Sequence, residues 1–119
     1  MFIVTAVISV LLAAVLAGSA FAKLTKNPQV IEGLVHRVGV PEDQLWVLAG
    51  LELAATAGLI IGLFWAPLGI AAAIGVILYF IGALIAHFRA NDTAAATVLP
   101  PTVILLVAVA TLALRIATA

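Results

Sequence analysis

One residue in this chain calls for a chemical explanation before any other. Glu52 stands alone in an apolar stretch that runs from Leu45 to Ala66. About 20 apolar residues suffice to cross a bilayer, so this stretch is long enough to span. Glu52 lies roughly 11 Å inside the Trp46 end of it, at 1.5 Å per helical residue. An ionisable group at that depth costs about 2.5–3.5 kcal/mol on insertion scales. It must face a bundle interior or a wet cavity, and it needs a partner or a changed protonation state. Two readings are open: a proton or ligand site, or a buried structural hydrogen bond. If the carboxylate works, Glu52→Gln is expected to leave folding unchanged and abolish function.

Depth counting proposes neighbours. The next apolar stretch runs back across the bilayer and ends at His87-Phe88-Arg89. Tyr79 lies about two turns deeper than His87, at nearly the depth of Glu52. Lys23 closes the first apolar run at the same end, and its long stem can snorkel in either direction. Glu52, Tyr79, His87, Arg89 and Lys23 are thus the candidate lining of one polar pocket, a ligand or proton site with no catalytic residue assigned. The other polar residues read more plainly. Arg115 is an end-of-helix anchor snorkelling outward. Asn91-Asp92 is a turn. His36 is a surface residue, and Thr56 bonds locally.

Composition states what must position these groups. Of 119 residues, 66% are hydrophobic and 8% charged, against an ordinary apolar share of roughly 45–50% and about 25% charged. The mean hydropathy is +1.38. Such a chain has the lipid bilayer as its main partner and solvent. Five basic residues balance five acidic ones, which leaves no electrostatic footprint for nucleic acid. There is no cysteine, hence no disulfide, thiol nucleophile or thiolate metal site. Two histidines are too few for a histidine cage, so no metal is expected. No glycine-rich phosphate loop is present.

The expected fold is an all-α integral membrane four-helix bundle with a short interfacial helix between spans 1 and 2. It forms a single domain over 1–119, with spans at 2–22, 45–66, 67–88 and 101–118 and a cytoplasmic connection at 23–44. Pro67 and Pro101 fit first helical turns, where a missing N–H costs nothing. Ala20-Phe21-Ala22 resembles a signal-cleavage site, but the apolar run before it is long and no basic residue precedes it. Trp46 and Trp65 stand about 28 Å apart along a helix, one at each interface, as membrane anchors. In the connection, Val30, Ile31, Leu34, Val35 and Val38 make one apolar helical face. That helix either lies on the membrane or forms a lid over a cavity, and the first is the plainer expectation. Gly58/Gly62, Ala14/Gly18, Ala71/Gly75 and Gly82/Ala86 are small pairs at helical spacing, expected to pack inside the bundle rather than form a homo-oligomer seam. Lys23, Lys26, Arg37 and Arg89 lie at one end and only Arg115 at the other, so both termini are expected outside.

The order of several short motifs adds a resemblance. Gly18 and Phe21-Ala22-Lys23-Leu24 close the first span, and Gly39-Val40-Pro41 follows. Leu51-Glu52-Leu53, Gly58, Gly62 and Pro67-Leu68-Gly69 come next, then Gly82-Ala83 and His87-Phe88-Arg89-Ala90-Asn91-Asp92. In this order the chain resembles the DoxX-like family of small four-span membrane proteins over nearly its whole length. The resemblance implies that Lys23, Glu52, His87 and Arg89 are its polar signature. It also implies a bacterial inner-membrane protein that serves as a non-catalytic subunit or accessory factor of a larger, quinone-linked oxidoreductase complex. Quinone is then the expected ligand, with no covalent cofactor. Electrons would need a partner subunit carrying flavin, haem or an iron–sulfur centre. The alternative is a scaffold or assembly chaperone that uses its small-residue faces. A small proton-coupled exporter fits less well, because exporters of that size carry their essential Glu in the first span and this chain has none there.

Overall fold

In lipid every backbone N–H and C=O must be satisfied within its own segment, so long apolar runs become helices. A computed structural model describing residues 1–119 shows helices α1 (Phe2–Leu24), α3 (Leu45–Ile61), α4 (Ala66–Arg89) and α5 (Ala95–Ala117). All four are long and apolar enough to cross a membrane, α3 together with the 3₁₀ turn Glu42–Gln44 before it. There are no strands. Between α1 and α3 lies α2, an α-helical turn (Pro28–Val30) that widens into π-helical turns over Ile31–Val38.

Local sequence explains the ends. Asn27 caps α2 by accepting the Gln29 N–H at 2.9 Å, and Pro28 takes a first position that needs no donor. Gly39, at φ 90°, ends α2 in a left-handed conformation suited to glycine. Pro67 falls in the first turn of α4, as expected. Helix α5 starts at Ala95 rather than at 101, and Pro100 and Pro101 lie inside it. A first turn forms ahead of the prolines because the Thr97 and Val98 N–H groups both close on the Ala94 carbonyl, at 2.9 and 3.0 Å. The prolines then withhold the donors that the Ala96 and Thr97 carbonyls would otherwise receive.

Helix α1 packs mainly on α3, and α4 on α5, while the tight α3–α4 turn and an α1–α5 contact complete the bundle. Leu12 and Leu16 of α1, Leu59 of α3, Val76 and Phe80 of α4 and Ala108 of α5 meet in the core. Of the small pairs, Gly58 and Gly62 do pack inside: a Cβ on Gly62 would collide with the Gly69 backbone, and one on Gly58 with Ala72. The others do not. Ala14 and Gly18 are exposed, and a Cβ on Gly18, Gly75 or Gly82 would meet nothing. Trp46, in the first turn of α3, and Trp65, the residue before α4, are 67% and 61% exposed.

Candidate functional site

Packing of α1 on α3 turns Lys23 inward. Ala20 and Ala49 are fully buried, and side chains this small let the two helices approach closely. The Lys23 ammonium donates to Glu52 Oε1 at 2.7 Å and to Ser19 Oγ at 2.7 Å. Ser19 and Lys23 are one turn apart on α1, and Ala49 and Glu52 share a face of α3. Thr56 donates to the Glu52 main-chain carbonyl at 2.9 Å and approaches the Ala13 carbonyl at 3.4 Å. Glu52 is only 2% exposed. Its second oxygen, Oε2, is buried and has no hydrogen-bond partner.

Glu52 is one of the residues that line a cavity of about 500 Å³ between α3 and α4. The two helices touch where Gly62 meets Gly69 and Gly58 meets Ala72, and the cavity extends from there toward Glu52 and Tyr79. Glu52 and Tyr79 are the polar side chains in a lining otherwise made of Leu, Ala, Gly, Val and Phe. Leu51 and Leu78 of the lining are more than half exposed, so the mouth opens on the lipid-facing side of the bundle.

A second cavity, about 470 Å³, lies at the α2 end and is bordered by Ser19, Lys23, Tyr79 and His87. Leu34, Val38 and Val40 cover it from one side, and Pro100, Pro101 and Ile104 bound it from α5. Two residues of the apolar face of α2, Leu34 and Val38, thus border this cavity. Leu78, Tyr79 and Phe80 border both spaces. Lys23 faces the second and Glu52 the first, so the ion pair crosses the partition between them.

The sequence profile of the DoxX-like family matches residues 7–111. The chain belongs to the DoxX-like family. The match takes in Lys23, Glu52, Tyr79, His87 and Arg89 and ends before Arg115. No curated protein and no solved structure matches the chain. This DoxX-like protein is a multi-pass membrane protein built as a helical bundle.

Within its pocket the five sequence-derived residues separate. Lys23 and Glu52 are bonded, Tyr79 flanks Glu52, and His87 reaches the second cavity only. Arg89 is exposed and borders neither. Asp92 is more than a turn residue. Asn91 does turn the chain, at φ 57°, but Asp92 Oδ2 lies 3.1 Å from His87 Nδ1 and 3.8 Å from Arg37 Nε. It ties α2 to the end of α4 and orients the imidazole, leaving Nε2 as the free nitrogen when Nδ1 carries the proton. His36 is exposed, 3.2 Å from Glu32.

Arg115 departs from its expectation. It is 6% exposed, and its Nε donates to the Gly62 carbonyl at 3.0 Å. Gly62 is the cap residue of α3, where carbonyls lack helical donors and the helix dipole is negative, so a guanidinium satisfies both. The Phe2 ring lies 5.7 Å away in cation–π range. The signal was available: Ala108, Thr111 and Arg115 fall on one helical face, and all three are buried.

Chemically, the first cavity offers a buried acceptor, Oε2, beside a phenol. Both oxygens of a carboxylate paired with an ammonium accept hydrogen bonds, and a phenol can donate or accept. The lost Lys23 partner also changes the expectation for Glu52→Gln, which now leaves an ammonium without its countercharge.

Proposed function

We propose that this DoxX-like protein is a non-catalytic subunit or accessory factor of a quinone-linked oxidoreductase complex, with the first cavity receiving the quinone headgroup. One observation carries the reading: a buried glutamate with an unpartnered carboxylate oxygen lines an apolar cavity that opens toward lipid. A ligand that enters sideways from the bilayer is itself lipid-soluble, and about 500 Å³ falls within the usual range of roughly 300–1,000 Å³ for small-molecule sites. Quinone would supply the redox change, in which protons accompany electrons. Glu52 would take up or release a proton, Tyr79 would orient the headgroup, and Lys23 would hold the carboxylate in place. Electrons would come from a partner subunit.

The setting we propose is a bacterial inner membrane with both termini outside. Lys23, Lys26, Arg37 and Arg89 at the α2 end support that orientation. Purification in mild detergent from the native host, followed by mass spectrometry, tests the proposal. A stoichiometric redox partner and extractable quinone are expected. A transporter or receptor partner without quinone would favour the scaffold reading, which the exposed Ala14 and Gly18 surface of α1 supports.

A further inference from the structure

We infer that the Glu52 cavity selects lipophilic hydroxyl donors, and so takes the reduced quinol in preference to the oxidised quinone. The inference rests on the quinone-linked reading for the identity of its ligand, but not for its chemistry. Lys23 already occupies Oε1 at 2.7 Å. Oε2 is buried without a hydrogen-bond partner, on a residue that lines the cavity with Tyr79 at its side. A carboxylate oxygen of an ion pair has only acceptor capacity. An occupant that leaves it unmatched keeps a desolvated charge without a hydrogen bond, which is the costly half of the asymmetry between made and unmade bonds. A quinone carbonyl is itself an acceptor and brings two oxygens face to face. A quinol hydroxyl donates to Oε2 and can accept from the Tyr79 hydroxyl beside it, so one group answers both polar side chains of the lining. The rest of the wall, Leu51, Ala55, Ala72 and Val76 among it, suits an apolar ring.

The glycines make a clean control possible. Gly75 lines this cavity, and a Cβ there meets no atom within 4 Å. Gly75→Leu therefore fills the space without touching the ion pair. It also removes a glycine from a helix interior, which favours the fold.

The experiment is anaerobic equilibrium binding to the purified full-length protein in lipid nanodiscs, with three probes: decylubiquinol, decylubiquinone and 4-dodecylphenol. The expected result is that decylubiquinol binds about tenfold or more tighter than decylubiquinone, the ratio given by one hydrogen bond to a charged acceptor. Glu52→Gln, whose amide can donate as well as accept, should bring the two within about twofold. Gly75→Leu should abolish binding of both while the protein stays folded, and it keeps the test decisive if Glu52→Gln does not fold. Equal affinity for quinol and quinone in the native protein overturns the inference and leaves the quinone reading standing. Binding of dodecylphenol alone, lost in Gly75→Leu, overturns the quinol preference and the quinone reading together, and leaves only the selection for hydroxyl donors. No binding of any probe to the folded protein overturns the inference.

Discussion

Removing Lys23 should destabilise the bundle far more than removing Lys23 and Glu52 together. The two side chains meet at 2.7 Å and are 9% and 1% exposed. At that separation and an effective dielectric of about 20, their attraction is about 6 kcal/mol. Against it stands a desolvation cost of several kcal/mol for each ion. The pair is therefore close to balanced, whereas either charge left alone is not. Lys23→Met keeps the apolar stem but strands the carboxylate, and should cost about 3–5 kcal/mol. Glu52→Gln keeps an acceptor for the ammonium and should cost about 1.5–3 kcal/mol. The double variant Lys23→Met/Glu52→Leu should return to within about 2 kcal/mol of the native protein. Reversible unfolding by SDS in mixed micelles measures each value. Glu52→Leu strands the ammonium and should cost about as much as Lys23→Met, so the completed cycle should give a coupling energy of at least about 4 kcal/mol. Losses below about 1 kcal/mol for each single variant, as exposed pairs show, with no coupling, would refute the buried-pair argument.

Three further outcomes follow from the geometry. Gly62→Ala should cost about 1–3 kcal/mol or more, because its Cβ collides with the Gly69 backbone, whereas Gly18→Ala should be tolerated; the same SDS titration separates them. Arg115→Met should cost about 1.5–3 kcal/mol by uncapping the Gly62 carbonyl, and Arg115→Lys should not restore the loss, since the Nε contact needs the guanidinium fork. The chain has no cysteine, so single cysteines at Asn27 and Ala119 can report topology: an impermeant maleimide should label Ala119→Cys in intact cells and Asn27→Cys only after lysis.

The sequence made the four spans legible because lipid leaves a long apolar run few alternatives to a helix. It also made the site's depth legible, since a constant rise per residue puts Glu52 and Tyr79 at one level. Rotation about each helix axis was not legible. That is why Arg89, at a suitable depth, lies on the exposed side, and why Lys23 could be seen as able to turn inward without its partner being fixed. Asp92 was masked by turn chemistry: the residues that make a good turn also make good acceptors. The small pairs carried the same ambiguity. A glycine every fourth residue allows close packing, as at Gly62, and equally leaves open space, as at Gly75 and Gly82. The start of α5 was hidden by the usual reading of proline as a first-turn residue, although a turn closed on Ala94 can precede it.

The most direct test of the central claim is photolabelling in native membranes with an azido-quinone, followed by peptide mapping. The Glu52 cavity predicts labels on α3 and α4 within its lining, between Leu51 and Gly58 and between Leu68 and Phe80, displaced by unlabelled quinol and absent from Gly75→Leu. Labels spread over the exposed faces of α1 and α5, unchanged by Gly75→Leu, would contradict it.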